Sequence, residues 1–370
     1  MATLGPNDLK QYALPTYWDA AELSNVRLQS GETYAEFISD VAAALAMQNA
    51  DLLRDPLVGL LMYPTTEMAT EYRVGVSNGF QDHTEYGLPD PRRAATTGHM
   101  LHLLERDRGM GWTWDFLRKA RRIQLDSDIA SAMDDVRNDW RKRTLQQFFK
   151  STYTAVGTSG RSMPVCDGGT ADSAFVPINH PDRATAFAYT HTHLGRLNGI
   201  TQANLETGVA HIWEHGHDAP YELLVAQADV SSWTNVTNVT GYVSRPDPLI
   251  QYGATQDVAR VAVDFGADGV LGVVTTKYGP CRLRASARIP TTYWAVFKSH
   301  GFQDGRNVMA TRYDPKFGIG AVLLAGDHIR QFPLENAILF SAWGPNISDR
   351  TAAYLCLNAS SSTYTDPTIV

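Results

Sequence analysis

The chain has 370 residues, 44% hydrophobic and 19% charged, with a formal net charge of −7 at pH 7. That hydrophobic share excludes an intrinsically disordered protein, and a chain of this length buries about three quarters of its unfolded surface. The acidic balance excludes a polycation that coats nucleic acid along its whole length, while leaving room for local basic clusters.

Charged residues fall below the ~25% of ordinary soluble domains. Two readings account for this equally: a surface that closes against other subunits, and a plain uncharged polar surface. Cys166, Cys281 and Cys356 are odd in number and form no CxxC pair, so they read as reduced thiols of a cytosolic protein, with neither a disulfide framework nor a zinc ribbon. No basic segment followed by an apolar run opens the chain, and no window approaches ~18 consecutive apolar residues, so neither a signal peptide nor a membrane span is expected.

Residues 1–31 carry Pro6, Pro15 and Gly31 with the scattered aromatics Tyr12, Tyr17 and Trp18, and read as an extended arm with anchoring side chains. From Glu32 an apolar face of Tyr34, Phe37, Ile38, Val41, Leu45 and Leu52 predicts a helix ending before Pro56. Residues 66–115 alternate like strands at Glu71–Ser77 and Thr97–Arg106 around the turn signal Asn78-Gly79 and the breakers Pro89 and Pro91. With few large aliphatic residues near its tip, this excursion reads as a hairpin projecting from the core.

The strongest helical stripe runs from Asp126 to Val156 through Ile129, Met133, Val136, Trp140, Leu145, Phe148, Phe149 and Tyr153, with Asp126 or Ser127 as cap and Gly157 as stop. At ~1.5 Å per residue it predicts a beam of roughly 45 Å. Residues 157–187, rich in Gly, Ser, Asp and Pro, read as a loop. A second helix is predicted over Thr190–Glu214 on Leu194, Leu197, Leu205, Val209, Ile212 and Trp213, with Gly216 as its stop. Strand-like runs follow at Tyr221–Ala226, Val258–Phe265, Val270–Thr275, Tyr293–Phe297, Ala321–Leu324, Ile338–Ala342 and Ala353–Leu357. The class is α+β.

His211-Ile-Trp-Glu214-His215 has the inverted zincin spacing. On a helix the two imidazoles share a face and could hold Zn²⁺ beside a general base, the pattern of a zinc-dependent hydrolase, with His191, His193 and His217 adding to the local histidine density. The downstream helical Glu expected as third ligand is missing, because Glu335 is the only Glu after Glu222. A histidine-rich helix C-terminus favoured by the helix dipole is the structural alternative. Gly266–Gly272 lacks the Lys-Ser/Thr of a phosphate loop and reads as a turn between strands, and Cys166 has no His partner in sequence. Two basic runs, Arg118–Arg122 and Arg141-Lys142-Arg143, could face phosphate backbone, while Asp126, Asp128, Asp134, Asp135 and Asp139 lie close enough for pairing along the helix.

The order of elements is the most informative feature. An aromatic-anchored arm, a helix, a long polar hairpin, a beam helix, a second helix ending in His215-Gly-His-Asp-Ala-Pro220, and a β-rich stretch with Gly269-Val-Leu-Gly272 and Ile289-Pro290 together resemble the major capsid protein of tailed bacteriophages, of the Hong Kong ninety-seven type. The resemblance covers nearly the whole chain. It implies an N-terminal arm over 1–31 and an E loop over 66–115. A peripheral domain would comprise 32–65, 116–220 and 333–370, with a spine helix at about 124–157, and an axial domain would span 221–332.

It implies a non-enzymatic protein without cofactor or metal, a shell of hexamers and pentamers around packaged double-stranded DNA in the virion, and assembly in the host cytoplasm. Scaffolding, portal and decoration proteins are implied partners. Tyr17, Trp18, Glu71, Arg73, Arg92 and Arg93 become the candidate assembly residues, and Arg141, Lys142 and Arg143 the candidates to face DNA. Both polar tails are expected to touch other subunits. No lysine lies between 66 and 115, so the E-loop isopeptide cross-link of some members is not expected. An encapsulin-like compartment holding cargo enzymes is the alternative content for the same fold.

Overall fold

The structure, a computed structural model, describes residues 28, 31–74, 85, 95–155, 161–169, 172–180, 186–244, 269–325, 334–360 and 363–369. The arm with Tyr17 and Trp18, the hairpin tip with Arg92 and Arg93, and the expected strand Val258–Phe265 lie outside the described residues.

In chain order the elements are α1 (Tyr34–Leu53), α2 (Pro56–Leu61), β1 (Met62–Thr65), β2 (Ala69–Val74), β3 (Ala95–Met100), β4 (Glu105–Thr113), α3 (Trp114–Lys119), α4 (Arg122–Phe148), β5 (Thr154–Ala155), β6 (Arg161–Ser162), β7 (Leu194–Arg196), α5 (Gln202–Trp213), β8 (Tyr221–Ala226), α6 (Val230–Trp233), β9 (Tyr242–Ser244), β10 (Val270–Thr276), β11 (Gly279–Ser286), β12 (Tyr293–Phe297), β13 (Met309–Tyr313), β14 (Val322–Ala325), β15 (Leu334–Ile347) and β16 (Ala353–Leu357). The α+β class holds. The chain forms two compact units, one from the residues up to Ala50 with Arg106–Val136 and Ala321–Ser341, the other from Asp51–Glu105, Arg137–Gly320 and Ala342–Val370.

The first unit is organised by α1. Its start is a capping box, with the Thr33 amide donating to Glu36 Oε2 at 2.8 Å and the Glu36 amide donating to Thr33 Oγ1 at 3.3 Å. Phe37, Val41 and Leu45 then repeat at helical spacing and pack with Trp112, Leu117, Leu125, Ile129 and Leu339, all buried. Phe37 and Trp112 meet edge to face at 6.0 Å. The Asn49 amide closes a fork on Ala321, donating to its carbonyl at 2.8 Å and accepting from its N–H at 3.1 Å.

The core of the second unit is a seven-stranded sheet in the order β7-β16-β12-β8-β11-β10-β9. Every residue of β8 is buried, which explains its continuous apolar run apart from Glu222. Helix α5 covers the sheet with Leu205, Val209 and Ile212 against Trp294 and Tyr354. Gly208 permits the approach, because a Cβ there would stand 2.9 Å from the Tyr354 ring and 3.1 Å from that of Trp294. Strands β16 and β7, expected in the peripheral domain, pair into the same sheet as β8–β12 of the expected axial domain.

Two expectations are corrected. The beam helix ends at Phe148 rather than near 157. The run Ser151-Thr-Tyr-Thr154 is poor in helix formers, the Ser151 amide donates to Asp366 Oδ1 at 2.7 Å, and Thr154–Ala155 pairs with Arg161–Ser162. The second helix starts at Gln202, capped by Thr201, and not at Thr190. Leu194, counted on its stripe, lies on a strand parallel to β16, and Gly199 (φ +86°) turns the chain into the helix. The C-terminal tail packs on its own subunit, where Tyr364 Oη donates to the Phe149 carbonyl at 2.9 Å and Ile369 is buried.

Among the described residues no helix is long and apolar enough to cross a membrane. All three cysteines are free and buried. Burial pushes the Cys281 and Cys356 thiols up to about 12 and Cys166 higher still, which suits inert packing thiols.

Candidate assembly surfaces

The hairpin base is a two-stranded ladder, Ala69↔Met100 through Val74↔Ala95. Residues on alternate sides of a strand point to opposite faces. Tyr72 takes the inner side: its hydroxyl lies 2.8 Å from His99 Nδ1, and its ring meets Phe175 edge to face at 5.2 Å. Burial raises its phenol well above the ordinary value. Glu71 and Arg73 take the outer side and are exposed, opposite Gly98 and Thr96. Met68 and Met100 are 57% and 46% exposed at the foot of the ladder. The ladder is thus held on one side and presents polar and methionine side chains on the other. Strand β4, at the C-terminal end of the expected E loop, pairs with β15.

The basic run on α4 is divided by its surroundings. Arg143 is a correction: it is 4% exposed, donates to Asp139 at 3.1 Å and to the Trp343 carbonyl at 2.7 Å, and lies 4.0 Å over the Trp343 ring. A cation so enclosed reads no phosphate. Arg141 is half-exposed and donates through Nε to Asp55, whose other oxygen caps α2 by accepting from the Leu57 and Val58 amides at 3.1 and 3.4 Å. Lys142 is exposed. Arg122 of the earlier run is engaged by Glu32, Asp40 and Asp126, so that cluster is a mixed-charge face. Asp55→Ala removes both a helix cap and the Arg141 partner, and is expected to cost about 2 kcal/mol in urea denaturation; a loss below about 0.5 kcal/mol would contradict this role.

The His211–His215 motif straddles the end of α5. Glu214 is the helix cap, and His215 lies in the turn beyond. Glu214 Oε1 sits 3.1 Å from both His191 Nε2 and His211 Nδ1, and these contacts hold its carboxyl well below the usual range. A carboxylate engaged by two imidazoles is no free general base, so the inverted zincin arrangement is not formed. His193 is fully buried, and desolvation with neighbouring imidazoles holds it well below its ordinary value; the same causes lower His215 to about 4. Sequence spacing alone did not bring in His191 and His193, which arrive from the segment before β7.

No protein-family model matches the chain, and no curated protein resembles it in sequence. Among solved structures, one from Mycobacterium phage Patience superposes with a TM-score of 0.62 at 19% identity, covering 96% of this chain and 97% of that one. Weaker likenesses include the capsid of a native GTA particle (TM-score 0.47, 9% identity, 83% and 91% covered) and the holo-SrpI encapsulin complex from Synechococcus elongatus (TM-score 0.43, 13% identity, 84% and 89% covered). The order of the described elements and this end-to-end likeness give one architecture: the chain has the α+β fold of the Mycobacterium phage Patience structure.

Proposed function

We propose that the chain is the shell-forming subunit of a phage capsid, assembling into hexamers and pentamers around double-stranded DNA in the virion. The observation that carries this reading is the end-to-end likeness to the Mycobacterium phage Patience structure. The hairpin supports it, since a ladder with one exposed polar and methionine face gains burial from a neighbouring copy. In this reading residues 69–100 act as the E loop, α4 as the spine, and Glu71 and Arg73 as contact residues. Lys142, with half-exposed Arg141, supplies the non-specific phosphate contacts. Scaffolding, portal and decoration proteins would be the partners.

Electron microscopy of the expressed full chain is expected to show closed shells. Boiled shells should run as monomers on a denaturing gel, because residues 66–115 contain no lysine for an isopeptide bond. Virions should yield nuclease-protected DNA. Shells carrying a protein cargo and no DNA would favour an encapsulin-like compartment instead, and failure to form any particle would refute the shell reading.

A further inference from the structure

Three imidazole nitrogens meet at one point in the second unit. His193 Nε2 lies 3.1 Å from His191 Nε2, His215 Nε2 lies 3.1 Å from His191 Nε2, and the His193 and His215 Nε2 atoms are 3.0 Å apart. Their protonation is constrained from behind. His193 Nδ1 is 2.7 Å from the Ala353 carbonyl oxygen, and His215 Nδ1 contacts the Ile178 carbonyl oxygen. A carbonyl only accepts, so both Nδ1 atoms carry the hydrogen, and in the neutral ring each Nε2 is then a bare lone pair. Two lone pairs face each other at 3.0 Å, and a neutral His191 has one Nε2 proton at most, enough for one of them. The arrangement calls for a cation at the centre.

We propose that His191, His193 and His215, with the Glu214 carboxylate as fourth donor, bind one zinc ion as a structural staple. A cation about 1 Å off the plane of the three nitrogens sits about 2.0 Å from each, the Zn–N distance, and Glu214 Oε1 stands 3.1 Å from His191 Nε2. Backbone carbonyls on the far ring nitrogens are the outer contacts that fix the ring orientation of metal-bound histidines. His211 holds the carboxylate from the other side and is itself stacked on Tyr354, with ring centroids 4.9 Å apart. The ligand atoms of His191, His193, His211 and Glu214 all lie within 4.8 Å of one another.

All four donors come from the protein, the pattern of a structural rather than a catalytic zinc. The ion would join the end of α5 to the segment before β7. That segment is already tied to the sheet by the Leu355 amide, which donates to the His193 carbonyl at 2.9 Å, and to the segment after α4 by the His193 amide, which donates to the Cys166 carbonyl at 2.6 Å. The inference concerns the folded subunit and does not depend on shell formation.

The test uses untagged full-length protein grown with added zinc and purified without chelator. Elemental analysis is expected to find about one zinc per chain, removal by chelator to lower the melting temperature, and readdition of zinc to restore it. Cobalt in place of zinc should give the visible absorption of a four-coordinate site. His191→Gln leaves the carbonyl contacts of His193 and His215 in place. It is expected to keep the circular dichroism of the wild type while weakening zinc at least tenfold in competition with a chromophoric chelator. Folded wild-type protein that takes up neither zinc nor cobalt, or a His191→Gln variant that binds zinc as tightly as the wild type, would overturn the proposal.

Discussion

Replacing residues 75–94 by a two-residue Asn-Gly turn is expected to give a folded subunit that forms no shells. Val74 and Ala95 are paired at the end of the antiparallel ladder, so a two-residue turn can join them in register. Among the described residues, the cores of both units lie outside the excised segment, and Tyr72, which anchors the ladder to Phe175, stays. The melting temperature of the unassembled subunit should therefore change by only a few degrees, within the range of surface changes. Assembly should fail completely, because subunit interfaces of this obligate kind commonly exceed ~2,000 Å² and the hairpin would be a major contributor. Sedimentation velocity and electron microscopy read the outcome, and normal particles from the trimmed chain would remove the hairpin from assembly.

The main helices and most of the core strands were legible because their periodicity is imposed by burial on one face. Phe37, Val41 and Leu45 could not show a 3.6-residue stripe unless α1 lay on a core. The ends of elements were less legible. Phe149 and Tyr153 extend the stripe of α4 in sequence, yet Phe149 is buried just past the helix end, where the C-terminal tail takes over the packing. Strands β11 and β13 carry mixed sequences, Gly279–Ser286 and Met309–Tyr313, whose polar members are satisfied only in place: Arg284 donates to buried Glu222 at 2.6 Å, and Arg312 donates to the Leu101 carbonyl at 2.7 Å. No local pattern encodes such partners.

The histidine site was half legible. The spacing of His211, Glu214 and His215 pointed to a metal, but the chain turns after Trp213, so His211 and His215 do not act as a pair on one helical face. Two of the three nitrogens come from upstream, and the pairing of β7 with β16 places one of them, on His193, beside Ala353. Long-range strand pairing is what sequence spacing does not carry, and that pairing also gives His193 its backbone acceptor.

Arg350→Ala is expected to be the most destabilising single substitution tested on the second unit, at about 3–5 kcal/mol. Arg350 is 2% exposed and makes three directed contacts: Nη1 to Asp172 at 2.6 Å, Nη2 to Asp167 at 3.0 Å, and Nε to the Pro164 carbonyl at 3.1 Å. Its guanidinium also lies 4.4 Å over the Phe175 ring. These contacts all fall on the Gly- and Asp-rich segment that follows α4, whose described residues carry little regular structure and bury Met163, Val165, Cys166 and Phe175. The arginine adds directed polar contacts to that apolar burial. Truncation leaves two largely shielded carboxylates without their cation, an unsatisfied carbonyl and a void beside Phe175, and each of these adds to the loss. Arg350→Lys separates charge from geometry, because an ammonium is a single point that cannot serve Asp167, Asp172 and Pro164 together; it should recover about half of the stability. Urea denaturation of the hairpin-trimmed subunit measures both without interference from shell dissociation. A loss below about 1 kcal/mol for the alanine variant, or full recovery with lysine, would show that the three-contact clamp does not hold this segment.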